Sequence, residues 1–178
     1  MTFAASESDL VQAYLTSNKI TWSAGDWATC QPQGQSDQIC IWNATKLGNQ
    51  PIQSQLDAMK TYVSNQQQAA QYGGVLSAGL VITSTATSIL NGTYAVDSAA
   101  QFNINSEAVS ILTNGNFTNG QTTKPWPDAS GALHTFNATQ FKTFATAISQ
   151  YIDALLVTKQ TLLAGQSASW PSSSVTIP

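Results

Sequence analysis

The segment from Asn137 to Gly165 constrains the fold most, because it has the pattern of one long amphipathic helix. Asn137 and Gln140 form a capping-box pattern at its start, and Gly165 is suited to end it. A helix with a single apolar stripe must cover that stripe with a second layer of structure. The residues predicted to face this layer are Phe141, Phe144, Ile148, Ile152, Leu155 and Leu156.

A β-hairpin is predicted where Asn91-Gly92 separates two apolar runs. The runs are Ile89-Leu90 and Thr93 to Val96. An Asn-Gly pair between apolar runs is the strongest short-range hairpin signal, because tight hairpin turns need residues that tolerate positive φ. We therefore expect Gly92 to have a positive φ and the two flanks to pair.

The other elements of the second half predict a short sheet packed on two helices. Leu80 to Thr85 has the pattern of a strand, and Ala132 to Phe136 that of another. Between these two strands a helix is predicted, and Asp97 or the residue after it is expected to cap its start. This helix carries Phe102, Ile104, Ala108, Ile111 and Leu112. We expect an α+β fold with a short antiparallel sheet, its hairpin included.

The first 74 residues predict a separate, small helical module. Helices are expected from Ser6 to Asn18 and from Ile52 to about Tyr72, with a short strand between them at residues 38–42. The end of the second helix is rich in Gln and has little apolar surface of its own. We therefore place a boundary after residue 74, which gives an N-terminal module, 1–74, and a C-terminal α+β domain, 75–178.

Residues 166–178 form a Ser-rich tail with no core-forming pattern. We expect another chain to cover it, because such a contact offsets a backbone ordering cost of about 1–2 kcal/mol per residue. Trp170, Val175 and Ile177 are the predicted partner contacts. Trp170 is the expected anchor, as aromatic residues usually are at interfaces. Removing the tail is then predicted to leave the domain folded.

The chain is unusually poor in charge. Only 8% of its residues are Asp, Glu, Lys or Arg, all six basic residues are Lys, and the net charge is −3. An average soluble domain has about 25% charged residues. Nucleic-acid binding and phosphate chemistry depend on clustered basic residues, so we expect neither. No stretch approaches the roughly 20 apolar residues of a membrane span, and we expect no membrane partner.

Few residues offer chemistry. His134 is the only histidine, and Asp128 and Ser130 lie close to it in sequence. Three residues within so short a turn-and-strand segment are poorly placed to build a nucleophile, base and orienting group. Cys30 and Cys40 are most simply two reduced thiols, with a bridge between them left open. We expect no catalytic site, no metal site and no cofactor.

Two segments resemble bacteriophage tail proteins. The first, IWNATKLGNQPIQSQL at residues 41–56, resembles the W-N-x-x-x-L-G-x-x-P-T-x-x-x-L stretch of tail-fibre assembly and tail-associated proteins, with Ile52 where Thr is usual. The second half carries LNGTYAVD, WPDASG and HTF before the closing helix. This order is similar to a domain of unknown function in phage and prophage tail proteins. These motifs mark turns, caps and core positions, so the resemblance implies a setting and not a reaction.

Three functions follow as hypotheses. The first is a structural component of a virion tail (tail fibre, baseplate or adaptor), assembled in the bacterial cytoplasm and contacting copies of itself and other tail proteins. The second is a tail-fibre assembly chaperone that is absent from the mature particle. The third is a carbohydrate-binding module that contacts a host-surface glycan, because large aromatic side chains stack on sugar rings. Its stacking residues would come from Trp22, Trp27, Trp42, Trp126 and Trp170.

Overall fold

The computed structural model describes residues 5–178, which form two compact units. The first unit runs up to Ala70 and includes Thr161–Ala168, and the second comprises Gln71–Gln160 and Ser169–Pro178. The chain thus divides after Ala70, whereas the sequence pattern predicted a boundary after residue 74. Helices alternate with short, mainly antiparallel sheets, which confirms the predicted α+β class.

From residue 5 to Ala70, the first unit contains three helices and one two-stranded sheet. In chain order its elements are α1 (Glu7–Ser17), β1 (Trp27–Cys30), β2 (Gln38–Trp42), α2 (Ala44–Leu47) and α3 (Gln53–Ala70). α1 begins with a capping box, in which the Asp9 backbone N–H donates to the Ser6 hydroxyl and the Ser6 N–H donates to the Asp9 carboxylate. The core of the unit is formed mainly by Leu10, Val11, Leu15, Leu47, Leu56 and Val63.

The Gln-rich end of α3 has partners within its own unit. The Asn65 side-chain amide donates to the Gly165 carbonyl oxygen at 2.9 Å, and the Gln68 amide donates to that of Ala168 at 3.0 Å. The sequence indicated only that this segment lacks a core stripe. It did not predict these contacts, because they are polar and join residues about 100 positions apart.

Cys30 and Cys40 are joined in a disulfide, with their Cα atoms 5.8 Å apart. This corrects the simpler interpretation of two reduced thiols. The bridge follows from the antiparallel pairing of β1 with β2, in which Cys30 lies opposite Gln38 and Thr29 opposite Ile39. The two cysteines therefore lie on neighbouring strands.

The second unit contains the longest helix of the described chain. Its elements are α4 (Tyr72–Ala78), β3 (Leu80–Ser84), a 3-10 turn (Ser88–Leu90), β4 (Gly92–Tyr94), α5 (Ser98–Asn114), β5 (Thr123–Pro127), β6 (Leu133–Asn137), α6 (Ala138–Leu163) and β7 (Ser174–Ile177). β4, β3 and β7 form one sheet in that order, and β5 pairs with β6 in an antiparallel hairpin. The last residues of α6, from Thr161, belong to the first unit.

The aromatic residues of α6 form the centre of the second unit's core. Phe141 and Phe144 are fully buried. The ring of Phe144 packs edge-on against that of Tyr94, with centroids 4.8 Å apart, and Phe141 packs edge-on against Trp126 at 5.1 Å. Phe136 contacts both phenylalanines. The stripe of α6 therefore contacts residues of β4, β5 and β6.

The predicted tight turn at Asn91-Gly92 is wrong. The chain turns earlier, through the 3-10 turn, and the Asn91 side-chain oxygen accepts a hydrogen bond from the Ser84 N–H at 2.7 Å. Gly92 lies in β4 opposite Ile82 and lacks a positive φ. Its lack of a side chain matters for space, because a Cβ there would lie 3.2 Å from Asp128 and from His134.

The expectation that the tail has no core-forming pattern is also wrong. β7 pairs in parallel with β3, Val175 lying opposite Ile82 and Ile177 opposite Ser84. Ile177 is 3% exposed and belongs to the core of its own unit, whereas Trp170 and Val175 are half-buried. The tail adds a third strand to a sheet in which its neighbour, β3, is about 90 residues away, so local pattern did not show it.

Ile177→Ala should destabilise the second unit by about 2–4 kcal/mol, because it removes a fully buried side chain and leaves a cavity. The free energy of unfolding from urea denaturation measures this loss. The neighbouring exposed residue gives the control, and Pro178→Ala should leave the midpoint nearly unchanged. A small effect of Ile177→Ala would contradict the placement of this residue in the core.

Candidate functional site

α5 carries large apolar side chains on opposite sides. Ile104 and Ile111 are buried in the core, whereas Phe102, Val109 and Leu112 are 74%, 57% and 73% exposed. Positions separated by seven and then three residues lie on one side of an α-helix. We call these three residues the α5 outer face.

The exposed surface of α5 carries no charged side chain. Glu107 is the one charged residue between Ser98 and Asn114, and it is buried. A helix that is apolar on both sides is usually covered on both sides. Clustered exposed apolar side chains mark contact surfaces for other molecules. The α5 outer face is therefore the first candidate site.

Glu107 holds α5 to the segment that follows it. Its carboxylate pairs with Lys124 and accepts hydrogen bonds from the Thr118 N–H at 2.9 Å and the Thr118 hydroxyl at 2.6 Å. Burial opposes ionisation of Glu107, but the bonds from Lys124 and Thr118 outweigh it and lower the pKa of the carboxyl below its usual value. The ion pair and hydrogen bonds restrain the inner side of α5 and so fix the direction of the outer face.

A groove of about 430 Å³ lies elsewhere in the second unit, between α4, α6 and the segment before β7. We call it the aromatic groove. Trp170 contacts the ring of Tyr72, with centroids 6.2 Å apart, and the ammonium of Lys159 lies 4.5 Å from the Tyr72 centroid. The residues that line the groove are Gln71, Gly74, Val75, Ala78, Tyr151, Trp170, Pro171 and Ser173.

Two buried polar atoms of the aromatic groove's lining residues lack hydrogen-bond partners among residues 5–178. They are the Tyr151 hydroxyl and the Trp170 indole nitrogen. Burial raises the pKa of the Tyr151 phenol, so this hydroxyl is neutral and can donate. Sequence reasoning singled out Trp170 but missed Tyr151, because a tyrosine at a core position of α6 gives no sign that its hydroxyl is unpaired.

Asp128, Ser130 and His134 do come together, but in an order unsuited to nucleophilic catalysis. The Ser130 hydroxyl donates to Asp128 Oδ1 at 2.7 Å, and His134 Nε2 lies 3.3 Å from Asp128 Oδ2. His134 Nδ1 lies 2.5 Å from the Ile89 carbonyl oxygen, to which it donates. A triad needs the imidazole between the hydroxyl and the carboxylate, whereas here the carboxylate lies between the other two.

Asp128 instead organises a loop. Hydrogen bonds from the Ser130 hydroxyl, together with those from His134 and the backbone N–H groups of Ala132 and Ser130, outweigh burial and lower its pKa to about 2. The loop also reaches the sheet, because the Ala129 N–H donates to the Thr93 carbonyl at 2.7 Å.

The predicted turn and cap residues have structural positions. Asp97 is the N-cap of α5, where its carboxylate accepts from the Ala100 N–H at 2.9 Å. Asn137 and Gln140 exchange side-chain to backbone hydrogen bonds, each of 2.9 Å, at the start of α6. Asn91 and Gly92 shape the approach to β4, as described above.

The two tryptophans whose rings meet are not arranged as a flat sugar-stacking surface. Trp22 and Trp27 of the first unit meet edge-on, at 69°. Trp126 and Trp170, in the second unit, are half-buried. Trp126 packs on Phe141 and has Lys124 5.9 Å from its ring centroid, so its ring is used within the fold.

Metal-ion clusters and membrane-crossing helices are both absent from residues 5–178. No group of three or more His, Cys, Asp or Glu side chains in this range is arranged to hold a metal ion. No helix in this range is long and apolar enough to cross a bilayer.

A protein-family model described as a domain of unknown function, DUF4376, matches residues 54–172. The match covers about two thirds of the chain, including the α5 outer face and every lining residue of the aromatic groove except Ser173. No curated protein and no solved structure matches the chain significantly.

Asp128→Asn should lower stability near neutral pH, because the amide replaces a carboxylate that accepts three hydrogen bonds from Ser130 and Ala132 and lies 3.3 Å from His134 Nε2. The folded state lowers the pKa of this group, so its contribution is present above the ordinary value of 3.8 and is lost as pH falls towards about 2. Unfolding midpoints of wild type and variant should therefore converge over that range. The matched control is Asp37→Asn at an exposed site, and convergence of the same size there would contradict the assignment.

Proposed function

We propose that this chain, which belongs to the DUF4376 family of domains of unknown function, is a structural component of a bacteriophage tail that works through protein–protein contacts. The α5 outer face carries the proposal. It presents three large apolar side chains, more than half exposed, on a helix with no charged residue on its surface. A partner that covers this face removes it from water, which is the main favourable term in most protein association.

The low charge of the whole chain supports a contact role. Particle components are packed against many copies and neighbours, and like charges brought close together repel one another. Six basic and nine acidic residues in 178 limit this repulsion. The polar surface then offers mainly neutral hydrogen-bonding groups to neighbouring chains.

The use of the potentially reactive side chains also supports a contact role. Asp128 and His134 fix a loop and the Ile89 carbonyl, Glu107 and Lys124 fix α5, and the two cysteines form a disulfide. Each of these groups has a structural partner. We infer that the chain acts without a catalytic centre or cofactor.

The setting in a phage tail rests on the resemblance of residues 41–56 and of the second half to tail proteins, described in the sequence analysis. A tail-fibre assembly chaperone would use the same apolar face transiently and leave before the particle is complete. Presence in finished particles therefore separates the structural component from the chaperone.

The experiment analyses purified particles of a phage that encodes this chain by mass spectrometry, with wild type and with Phe102→Ser/Leu112→Ser. Burying each of these side chains contributes about 1.5–3 kcal/mol, so the double variant should weaken association by about 100-fold or more. We expect wild type in the particles and the double variant largely excluded, although it remains folded by circular dichroism.

Ile52→Ser is the matched control, because Ile52 is 65% exposed but lies outside α5. This control variant should enter particles normally. Absence of wild type from particles whose tails need it for assembly would favour the chaperone. Normal incorporation of the double variant would refute the α5 outer face as the contact surface.

A further inference from the structure

We propose that the α5 outer face binds the same face of a second copy of this chain, with the two α5 helices parallel to each other about a twofold axis. The inference rests on the proposed function, because it names the partner of the same contact surface. Three observations carry it: the spacing of the apolar side chains, an amide among them, and the absence of charge beside them.

The α5 outer face has the spacing of a coiled-coil contact. Phe102 and Val109 are seven residues apart, and Leu112 follows Val109 by three. Asn105 lies three residues after Phe102, so the four positions alternate by three and four residues, as the facing positions of a heptad do. All four side chains are exposed. We call these four residues the α5 seam, which extends over about three turns of the helix.

The contact needs no new helix. Asp97 caps α5, and the ion pair of Glu107 with Lys124 holds it to the following segment. Ile104 and Ile111 hold its inner side in the core. An isolated peptide of this length is only marginally helical in water. Because the fold supplies the helix in advance, burial of the α5 seam contributes directly to association.

Asn105 indicates that the occupant is an identical chain. Its side-chain amide is exposed and has no hydrogen-bond partner within residues 5–178. A carboxamide both donates and accepts, so it is complementary to an identical amide. In a parallel twofold pair each seam residue meets its own counterpart, and the two Asn105 amides bond to each other. An antiparallel pair would place Asn105 against Val109 and leave a buried amide unpaired, which is unfavourable.

The residues beside the α5 seam do not repel an identical copy. In coiled coils these flanking positions usually carry charged side chains, which select the partner by opposite charge. Here the flanking residues are Gln101, Ser106, Ala108 and Thr113, and none is charged. A twofold contact brings each group close to its own counterpart, so charges at these positions would repel one another. The neutral flanks are therefore suited to self-association.

A groove of about 260 Å³ between α5 and α6 extends the contact surface beside the seam. It is lined in part by Gln101 and Asn105 of α5 and by Leu156 of α6, which is 42% exposed. Asp153, the charged residue of the lining, is exposed. An exposed carboxylate at the rim of an interface keeps its hydration, as polar rim residues usually do.

The first test measures the mass of the full chain by sedimentation equilibrium at concentrations from about 1 to 500 µM. We expect the mass to rise from that of one chain to that of two. Asn105→Asp should raise the dissociation constant about tenfold or more near neutral pH, because it brings two carboxylates together. Asn105→Leu should lower this constant, because an asparagine within an apolar seam reduces stability.

Asn103→Asp is the matched control. It makes the same change on the same helix, at an exposed position outside the α5 seam. This control should leave the dissociation constant nearly unchanged.

A second test reports the orientation of the two helices. Asn105→Cys should form a disulfide between two chains in oxidised glutathione, because a parallel pair places the two positions opposite each other. Cys30 and Cys40 are already bonded to each other, so the new thiol is the free one. Asn103→Cys controls for random collision and should form little of this product.

Four results would overturn the inference. They are a chain that stays monomeric at about 500 µM, a mass of three chains, equal weakening by the two Asp variants, and equal crosslinking of the two Cys variants. A monomeric chain whose Phe102→Ser/Leu112→Ser variant is still excluded from particles would mean that the face binds another tail protein. The proposed function would then stand without this inference. Dimerisation with normal particle incorporation of that variant would support the dimer and refute the role of the face in the tail.

Discussion

The second unit depends on the packing of the α6 aromatic residues against three strands. Phe144 contacts Tyr94 of β4, Phe141 contacts Trp126 of β5, and Phe136 of β6 contacts both. Three of these four pairs meet edge-on and the Phe136–Phe144 pair is tilted, and such aromatic pairs add about 0.5–1.5 kcal/mol each beyond the area they bury. The candidate surfaces are built around this core, because α5 covers it from one side and the aromatic groove includes Tyr151 of α6.

Features governed by neighbouring residues could be predicted from the sequence. The long helix α6, the caps at Asp97 and Asn137 and the α+β class all depend on patterns within a few residues. The prediction of a tight turn at Asn91-Gly92 was wrong although it rested on neighbouring residues. The Ser88–Leu90 turn reverses the chain first, and the Asn91 side chain accepts a hydrogen bond from the Ser84 N–H.

Features that join distant residues could not be predicted in the same way. Val175 and Ile177 belong to a strand only because β3 lies beside them, and Asn65 is paired only because Gly165 is near. For α5, the sequence listed Phe102 and Leu112 with Ile104 and Ile111 as one apolar set. The helical spacing already places Phe102 and Leu112 on the side opposite Ile104 and Ile111. Only the structure shows which of the two sides the core covers.

The parallel pairing of β3 with β7 has a consequence for synthesis of the chain. β3 ends at Ser84, yet its partner strand is complete only at Ile177, and the first unit likewise needs Thr161–Ala168. A ribosome adds roughly 5–20 residues per second, so one side of β3 stays unpaired for several seconds after it has been made. An unpaired strand edge can recruit other chains. Both units therefore complete folding only late in synthesis, and until then the nascent chain is prone to aggregation.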